Sequence, residues 1–201
     1  MRLVTVVRSP TRVPGRRRGE ILAAAATLFA ARGFHGVSTE EIGAAVGISG
    51  PALYRHFDGK ESLLAEMLLD ISERLRGAAV ERVTRAADGA EALDALICGQ
   101  IDFALDHPAL ITVHDRELGN VPEAERRRVR RLQRLYVEEW VTVLSELYPS
   151  ARPARLRAAT HAVFGLLNST PHSAGELPRA EMAELLHRMA RVALHTFVNE
   201  G

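Results

Sequence analysis

The spacing of apolar residues predicts helices throughout the C-terminal two thirds of the chain. From residue 60 onward, apolar side chains recur every three or four positions, which places them on one helical face, and no segment alternates as a strand would. Prolines mark several of the helix starts and ends. The predicted helices cover about 60–76, 90–106, 108–117, 122–147, 153–170 and 178–198. We therefore predict an all-α fold.

A second pattern, nearer the N-terminus, indicates two short helices joined by a tight turn. Ser38 can cap the first of them, and Glu41 three positions later completes a capping box. Ile42 and Val46 are four residues apart and share one inward face. Gly47 then ends the helix, because glycine adopts the left-handed backbone without strain.

The second short helix presents a polar and basic surface. Ser49 is a suitable N-cap, and Pro51 fits the first turn, where a missing amide costs nothing. Leu53 and Phe57 are four residues apart and bury one face. The other face consists of Gly50, Ala52, Tyr54, Arg55 and His56. This pattern is typical of a helix-turn-helix that inserts its second helix into the major groove of DNA.

The sequence around this pattern resembles the DNA-binding region of TetR-family transcriptional regulators. The similarity covers residues 16–65 and includes an amphipathic first helix over 21–34. It is most specific in the string Ser-x-x-x-Leu-Tyr-x-His-Phe-x-x-Lys-Glu-x-Leu, which runs from Ser49 to Leu63. One departure is that residues 50–52 offer few side-chain hydrogen bonds. Base recognition would then depend on Arg55, thymine methyl groups and DNA shape.

The resemblance implies roles for the matching residues. Phosphate contacts are expected from Tyr54, His56 and Lys60, and a further one from Thr39 at the start of its helix. The residues expected to face or flank the DNA bases are Ser49, Gly50, Pro51, Ala52 and Arg55. For Tyr54 and His56, the alternative is a half-buried surface position without a DNA contact. The resemblance also implies a dimer, a small-molecule inducer and repression of transcription.

Charge divides the chain in the same place. Residues 1–60 hold 9 Arg and Lys against 4 Asp and Glu, a balance of +5, whereas the remainder holds 17 against 21, a balance of −4. This asymmetry is expected if only one end of the protein meets phosphate. Residues 1–15 are interpreted as a flexible basic tail, which could lie along DNA together with Arg16, Arg17 and Arg18. A solvated tail without contacts is an equal alternative.

Length and composition are compatible with one small and one medium unit. We assign residues 16–60 to a helix-turn-helix domain and residues 61–201 to a helical body for ligand binding and dimerisation. No apolar run approaches the ~20 residues needed to span a bilayer, and no signal peptide is evident, so no membrane partner is expected. The single cysteine, Cys98, excludes an internal disulfide and fits a cytoplasmic location. Its position beside Ile97 indicates packing, with a redox-sensing thiol as the alternative.

The last two long helices are the expected dimer element. A row of small residues on the first of them consists of Ala158, Ala162, Gly165 and Ser169. An apolar stripe on the second consists of Leu185, Met189, Val192 and Phe197. Paired hairpins from two subunits would form a four-helix interface with two-fold symmetry, which predicts a palindromic operator. The alternative is that both rows belong to the core of one subunit.

A helical body with few aromatic residues can enclose a cavity for the implied inducer. Candidate lining residues are Met67, Ile71, Phe103, Val113, Trp140, Phe164 and Asn168, with ordinary core packing as the alternative at each. His114 and Arg116, on the short middle helix, could meet a ligand headgroup. An apolar lining with an arginine would suit an acyl-CoA or another long amphipathic acid, and the C-terminal region loosely resembles regulators of acyl catabolism. A multidrug or antibiotic ligand is the alternative.

Catalytic and metal sites have weaker support in the sequence. Ser49, His56 and Asp58 are close together, but they occupy one short helix and its end, where the serine is used for capping. The histidines beyond residue 100 lack the i, i+4 spacing of a helical zinc pair. We therefore expect neither an enzyme nor a metal or other cofactor. The remaining alternative is an enzyme with an incidental helix-turn-helix.

Overall fold

The computed structural model describes residues 14–173 and 175–199, and its regular structure in these ranges is entirely helical, which confirms the predicted fold class. The predicted tail lies outside the described residues up to residue 13. The helices are α1 (Pro14–Arg32), α2 (Thr39–Ala45), α3 (Gly50–Leu53), α4 (Lys60–Arg85), α5 (Gly89–Asp106), α6 (Pro108–Glu117), a 3₁₀ turn (Leu118–Asn120), α7 (Glu123–Leu147), α8 (Pro153–Leu167), α9 (Thr170–Ser173) and α10 (Arg179–Asn199). Within these ranges no single helix is long and apolar enough to cross a bilayer. Judged by length and composition alone, α5 and segment 108–120 meet that criterion only together, as a pair bent by 88°.

Two hydrophobic cores organise the helices. The N-terminal core contains the inward faces of α1, α2, α3 and the first half of α4, and it is completed by Val113, Val121 and Val129. The C-terminal core is formed by α5, α7, α8 and α10, together with Ala79 of α4. Helix α4 therefore belongs to both cores. A domain boundary at residue 60 falls where this shared helix begins.

Two helix boundaries differ from the sequence prediction. Helix α4 continues to Arg85 instead of ending near residue 76, because Ala79 is buried in the C-terminal core and prolongs the contact of α4 with the body. Pro171 does not end the penultimate long helix. That helix, α8, ends at Leu167, and Pro171 lies inside the short helix α9. Proline is tolerated there because amides in the first turn of a helix have no intrahelical partner.

The turn between α2 and α3 depends on two glycines. The predicted capping box is present at Ser38 and Glu41. Gly47 has a φ of +69°, as expected for the residue that ends α2. Gly43 is restricted in another way, because a Cβ atom there would lie 2.8 Å from the carbonyl oxygen of Ile48. The amide of Ile48 also donates to the Gly43 carbonyl at 2.9 Å, so the backbone after α2 turns back tightly against that helix.

Candidate nucleic-acid interface and internal cavity

The outer surface of α3 and the residues after it form the candidate DNA-contacting face. Pro51, Tyr54 and Arg55 are exposed, with 54% of Tyr54 accessible to solvent. Ala52 and His56 are half-buried beside them. Because Leu53 and Phe57 are buried in the N-terminal core, this short segment presents aromatic, basic and small side chains on one outward face.

Gly50 is buried, which corrects the expectation that it faces DNA bases. A Cβ atom at Gly50 would lie 3.1 Å from a carboxylate oxygen of Glu40, so the start of α3 packs against a side chain of α2. Thr39 is half-buried, and its hydroxyl donates to the same carboxylate at 3.2 Å. Ser49 occupies the N-cap position of α3 but makes no capping hydrogen bond with its side chain. The exposed residues at this end of α3 are therefore Ser49 and Pro51.

Lys60 holds the loop between α1 and α2. Its ammonium group donates to the carbonyl oxygens of Phe34 at 2.7 Å and Val37 at 2.8 Å. It also lies 4.3 Å from the centre of the Phe34 ring, within the range of a cation–π contact. In the free chain the ammonium group is therefore bonded within the protein, and the phosphate contact expected from Lys60 stays a prediction.

Arg17 is also engaged within the chain. Its guanidinium donates to the carbonyl oxygen of Val46, the C-cap of α2, and pairs with Glu20 at 2.7 Å. Only 15% of its side chain is exposed. Arg17 therefore holds the end of α2 against α1, and its expected DNA contact stays a prediction.

Arg18 connects three helices. Its guanidinium donates to the carboxylate of Glu66 on α4 and to the carbonyl oxygen of His56, just after α3. It lies 4.3 Å from the centre of the Phe57 ring. The hydrogen bond with Glu66 raises the pKa of Arg18 further above its already high value. Arg18 thus links α1, the segment after α3 and α4 in the free chain, and its expected DNA contact stays a prediction.

A groove of about 700 Å³ opens to solvent beside this link, between α1, α4 and α7. Its walls carry the pair Arg18–Glu66 and the longer pair Arg128–Glu73, whose atoms are 3.7 Å apart. Asp70 and Glu125 add further acidic groups. Half of the lining residues are charged, and the groove lies at the junction of the helix-turn-helix with the body.

A partly open cavity of about 210 Å³ lies in the body, between α4, α5, α6, α7 and α8, with the exposed residues Asp115 and His161 at its rim. Five of the predicted residues line it: Ile71, Phe103, His114, Phe164 and Asn168. Met67 and Val113 do not, because both are buried in the N-terminal core. Trp140 is fully buried in the C-terminal core, behind the rings of Tyr136 and Phe164. Arg116 is exposed on α6 and does not line the cavity.

A chain of neutral hydrogen bonds crosses the cavity wall. The Tyr136 hydroxyl donates to the Gln100 side-chain oxygen at 2.8 Å, and the Gln100 amide donates to the Asn168 side-chain oxygen at 2.8 Å. His114 contacts Gln133 nearby. Burial raises the pKa of Tyr136 to about 12, so the phenol remains a neutral donor at physiological pH. Among the described lining residues, none is lysine or arginine.

Gln100 and Tyr136 were missed by the sequence prediction. The signal that could have found Gln100 is its spacing on α5. It lies three residues after Ile97 and four before Ala104, so a polar residue occupies an inward position, and all three residues are buried. Buried polar side chains require hydrogen-bond partners, and such a residue therefore indicates a polar site within the body.

Cys98 is exposed, which corrects the expectation of a packing role. Helix α5 turns Ile97 and Ile101 into the core and leaves Cys98 near Asp94 at the surface. Desolvation, followed by the charges of Asp94 and Asp102, raises the pKa of the thiol. An activated thiolate requires a lowered pKa, so this environment does not favour a redox-sensing cysteine.

Family comparisons agree with both parts of the fold. The model described as "Bacterial regulatory proteins, tetR family" matches residues 21–67, and the model described as "Tetracyclin repressor-like, C-terminal domain" matches residues 86–194. The chain belongs to the TetR family. The first match covers the helix-turn-helix with the start of α4, and the second covers most of the body with its cavity.

Among sequence relatives, the transcriptional repressor KstR2 of Rhodococcus jostii is 34% identical over 110 residues, which is 55% of this chain and 54% of KstR2. The chain thus matches about half the length of this relative. Among solved structures, KstR2 of Mycobacterium tuberculosis, a ketosteroid transcriptional regulator, superposes with a TM-score of 0.78 at 22% identity, covering 96% of this chain and 100% of that one.

Two further structures of the same fold contain acyl-CoA ligands. AibR, in complex with isovaleryl coenzyme A and operator DNA, has a TM-score of 0.70 at 22% identity and covers 86% of this chain and 97% of its own. FadR of Bacillus subtilis, in complex with stearoyl-CoA, has a TM-score of 0.65 at 19% identity and covers 90% of this chain and 97% of its own. At these identities the likeness concerns the fold.

The contacts of Lys60 generate a prediction about stability. Lys60→Met should lower the free energy of unfolding by about 1–3 kcal/mol, because two carbonyl oxygens lose a charged donor. Arg55→Met removes a positive charge at an exposed position and introduces the same new side chain. It should alter the free energy of unfolding by less than about 0.5 kcal/mol. Urea unfolding followed by circular dichroism measures both. Equal stability of the two variants would show that Lys60 does not hold the α1–α2 loop.

Proposed function

We propose that this protein is a ligand-responsive transcriptional repressor that acts in the cytoplasm, binds a palindromic operator as a homodimer and is released by a small molecule. The observation that carries the proposal is the combination, in one chain, of an exposed α3 face and a cavity in the body whose walls continue into the helices that support α3. The family membership supports the same conclusion.

In this proposal, α3 enters the major groove. Arg55 and the small side chains of Pro51 and Ala52 face the bases, while Tyr54 and His56 contact phosphates. Arg17 holds the end of α2, Arg18 the segment after α3 and Lys60 the α1–α2 loop, so all three support the position of α3 within the N-terminal core. Their charges still contribute to the +5 balance of residues 1–60, which attracts the polyanion at long range.

The dimer is proposed to form through α8 and α10. Leu185, Met189 and Val192 on α10 are exposed by 44%, 46% and 65% in the single chain. On α8, Ala158, Ala162 and Gly165 are also exposed, which leaves room for close approach of a second helix. Phe197, the fourth residue of the predicted stripe, has a side chain outside the described residues. An exposed apolar row on α10 beside a row of small residues on α8 forms a self-complementary surface, as an interface with two-fold symmetry requires.

Two helices provide a physical connection between the cavity and the DNA-contacting face. Helix α4 carries Ile71 in the cavity wall and, one to two turns earlier, Glu66, which pairs with Arg18. Helix α6 carries His114 in the cavity wall next to Val113 in the N-terminal core. A ligand that separates α4 from α6 would therefore move the support of α3. In a dimer, such movement changes the spacing of the two α3 helices and weakens operator binding.

Cavity size and polarity limit the ligand. A cavity of about 150 Å³ accommodates benzene, so 210 Å³ accommodates a short acyl group or a single ring, whereas an 18-carbon chain or a four-ring steroid requires expansion. Gln100, Tyr136 and Asn168 offer neutral hydrogen-bonding groups. A thioester carbonyl is satisfied by such partners, whereas the cationic partners available to a free carboxylate are limited to the two lining histidines, His114 and His161. We therefore propose a short-chain acyl-CoA whose acyl group occupies the cavity.

Operator binding is tested with DNA from the region flanking the protein's own gene and a scrambled duplex of equal length. Arg55→Ala should reduce affinity for the specific duplex by about 10- to 100-fold and affinity for scrambled DNA much less. Arg74→Ala, at an exposed arginine of α4, serves as the control and should leave both unchanged. Fluorescence anisotropy over a salt series provides the measurement. A wild-type protein with no salt-sensitive preference for any genomic duplex would refute the proposed function.

Dimerisation is tested by Val192→Glu, which places a charge in the centre of the proposed interface. The variant should be monomeric at micromolar concentration, where the wild type is dimeric, because the carboxylate would have to be desolvated. Val80→Glu makes the same change at the exposed valine of α4 and should leave the dimer intact. Light scattering after gel filtration distinguishes the species. Dimers in both variants would exclude the α8–α10 interface.

Ligand size is tested by DNA release with isovaleryl-CoA, stearoyl-CoA and free isovalerate. Isovaleryl-CoA should release DNA at the lowest concentration. Gln100→Leu should raise the required concentration about three- to tenfold, since one hydrogen bond is worth about 0.5–1.5 kcal/mol. Thr142→Val, at an exposed position of α7, is the control. Release by stearoyl-CoA at a lower concentration than isovaleryl-CoA would contradict the size limit.

A further inference from the structure

Three side chains with metal-binding groups meet where α5 packs against α10. They are Asp94 and Cys98 on α5 and His187 on α10, and their ligand atoms all lie within 4.8 Å of one another. Nε2 of His187 is 2.9 Å from Oδ1 of Asp94. The cluster is outside the cavity and outside the DNA-contacting face, and neither uses it.

The local structure explains why these groups converge. Asp94 and Cys98 are four residues apart, so they project from the same side of α5. On α10, Leu186 is buried in the C-terminal core, and His187 follows it at the edge of the contact with α5. The site is therefore built from two packed helices. It remains accessible, because Cys98 is exposed and 27% of the His187 side chain and 41% of the Asp94 side chain reach solvent.

Sulfur, imidazole nitrogen and carboxylate oxygen form a donor set that suits zinc. A thiolate ligand disfavours Mg²⁺ and Ca²⁺, which prefer oxygen, and three protein ligands leave a fourth tetrahedral position for water. Ligand atoms of a tetrahedral zinc lie about 3.3–3.6 Å apart at ordinary bond lengths. The ligand atoms here lie within 4.8 Å of one another, so they must draw together by up to about 1.5 Å to reach that geometry. We propose that Asp94, Cys98 and His187 bind one Zn²⁺ per chain.

The competing arrangement is an ion-pair network between α5 and α10. Nη1 of Arg191 donates to Oδ1 of Asp94 at 2.7 Å, and this arginine must move aside when the metal binds. The free-energy cost of breaking this ion pair is small. The Arg191 side chain is 55% exposed, and solvent-exposed ion pairs contribute at most about 1 kcal/mol to stability. The thiol of Cys98 gives its proton to solvent as the sulfur–zinc bond forms.

A zinc ion at this position would join two functional surfaces. Helix α5 carries Gln100 and Phe103 in the cavity wall, and α10 carries the exposed apolar stripe proposed for dimerisation. The metal would fix α10 relative to α5 and so to the cavity wall. Metal binding at this cluster is measured without DNA or acyl-CoA, so its outcome does not depend on the proposed function.

Cobalt(II) titration of the untagged chain, freed of metal by a chelator, tests the site. Because Cys98 is the only cysteine, a thiolate-to-cobalt absorption band in the near ultraviolet can arise only from this residue. We expect the band to saturate at one equivalent and to disappear on addition of Zn²⁺. Cys98→Ser should abolish it, and His187→Gln should weaken metal binding by at least about tenfold. His172→Gln, at an exposed histidine of α9, is the control.

A second measurement uses the unaltered protein and so does not depend on the folding of any variant. Bound Zn²⁺ should slow alkylation of Cys98 by iodoacetamide, since the metal occupies the sulfur lone pair. No cobalt–thiolate band, together with an alkylation rate that zinc does not change, would overturn the proposal. Metal binding that survives both Cys98→Ser and His187→Gln would assign the ion to other surface groups and overturn it as well.

Discussion

The guanidinium group of Arg18 joins the first helix to the two elements on either side of the DNA-contacting face. It bonds to the carbonyl oxygen of His56 after α3 and to Glu66 on α4, and it covers the ring of Phe57. It thereby holds in place a four-residue helix that is too short to be stable alone, while Lys60 holds the neighbouring α1–α2 loop. The geometry of α3 therefore depends on half-buried cations that do not themselves belong to its exposed face.

The same cations show where inference from sequence ends. Caps and helix stops are local, so the capping box of Ser38 and the positive φ of Gly47 were predictable from neighbours within a few residues. The partners of a long cationic side chain are decided by tertiary packing. Arg18 and Glu66 are 48 residues apart, and nothing in their spacing distinguishes a link within the protein from a phosphate contact.

The cavity shows a comparable division. Apolar periodicity placed Ile71, Phe103 and Phe164 on inward helical faces, but it could not separate cavity wall from filled core, and Met67, Val113 and Trp140 belong to the core. The polar residues are more informative. Gln100 interrupts the buried stripe of α5 and bonds to Tyr136 and Asn168 from two other helices, so neutral hydrogen-bonding groups line one side of the cavity. It is these polar groups, more than the cavity volume, that limit the chemistry of a ligand in the proposed function.

The shared helix α4 and the valines that complete the N-terminal core have a practical consequence for protein engineering. Val113 and Val129 lie far along the chain, yet they pack with Phe29 and Leu64 in one core. A fragment cut at residue 60 would lose both valines and the first half of α4, and its remaining apolar surface would be exposed to water. Chimeric regulators that exchange ligand specificity between related proteins therefore need a crossover that transfers these contacts as a set.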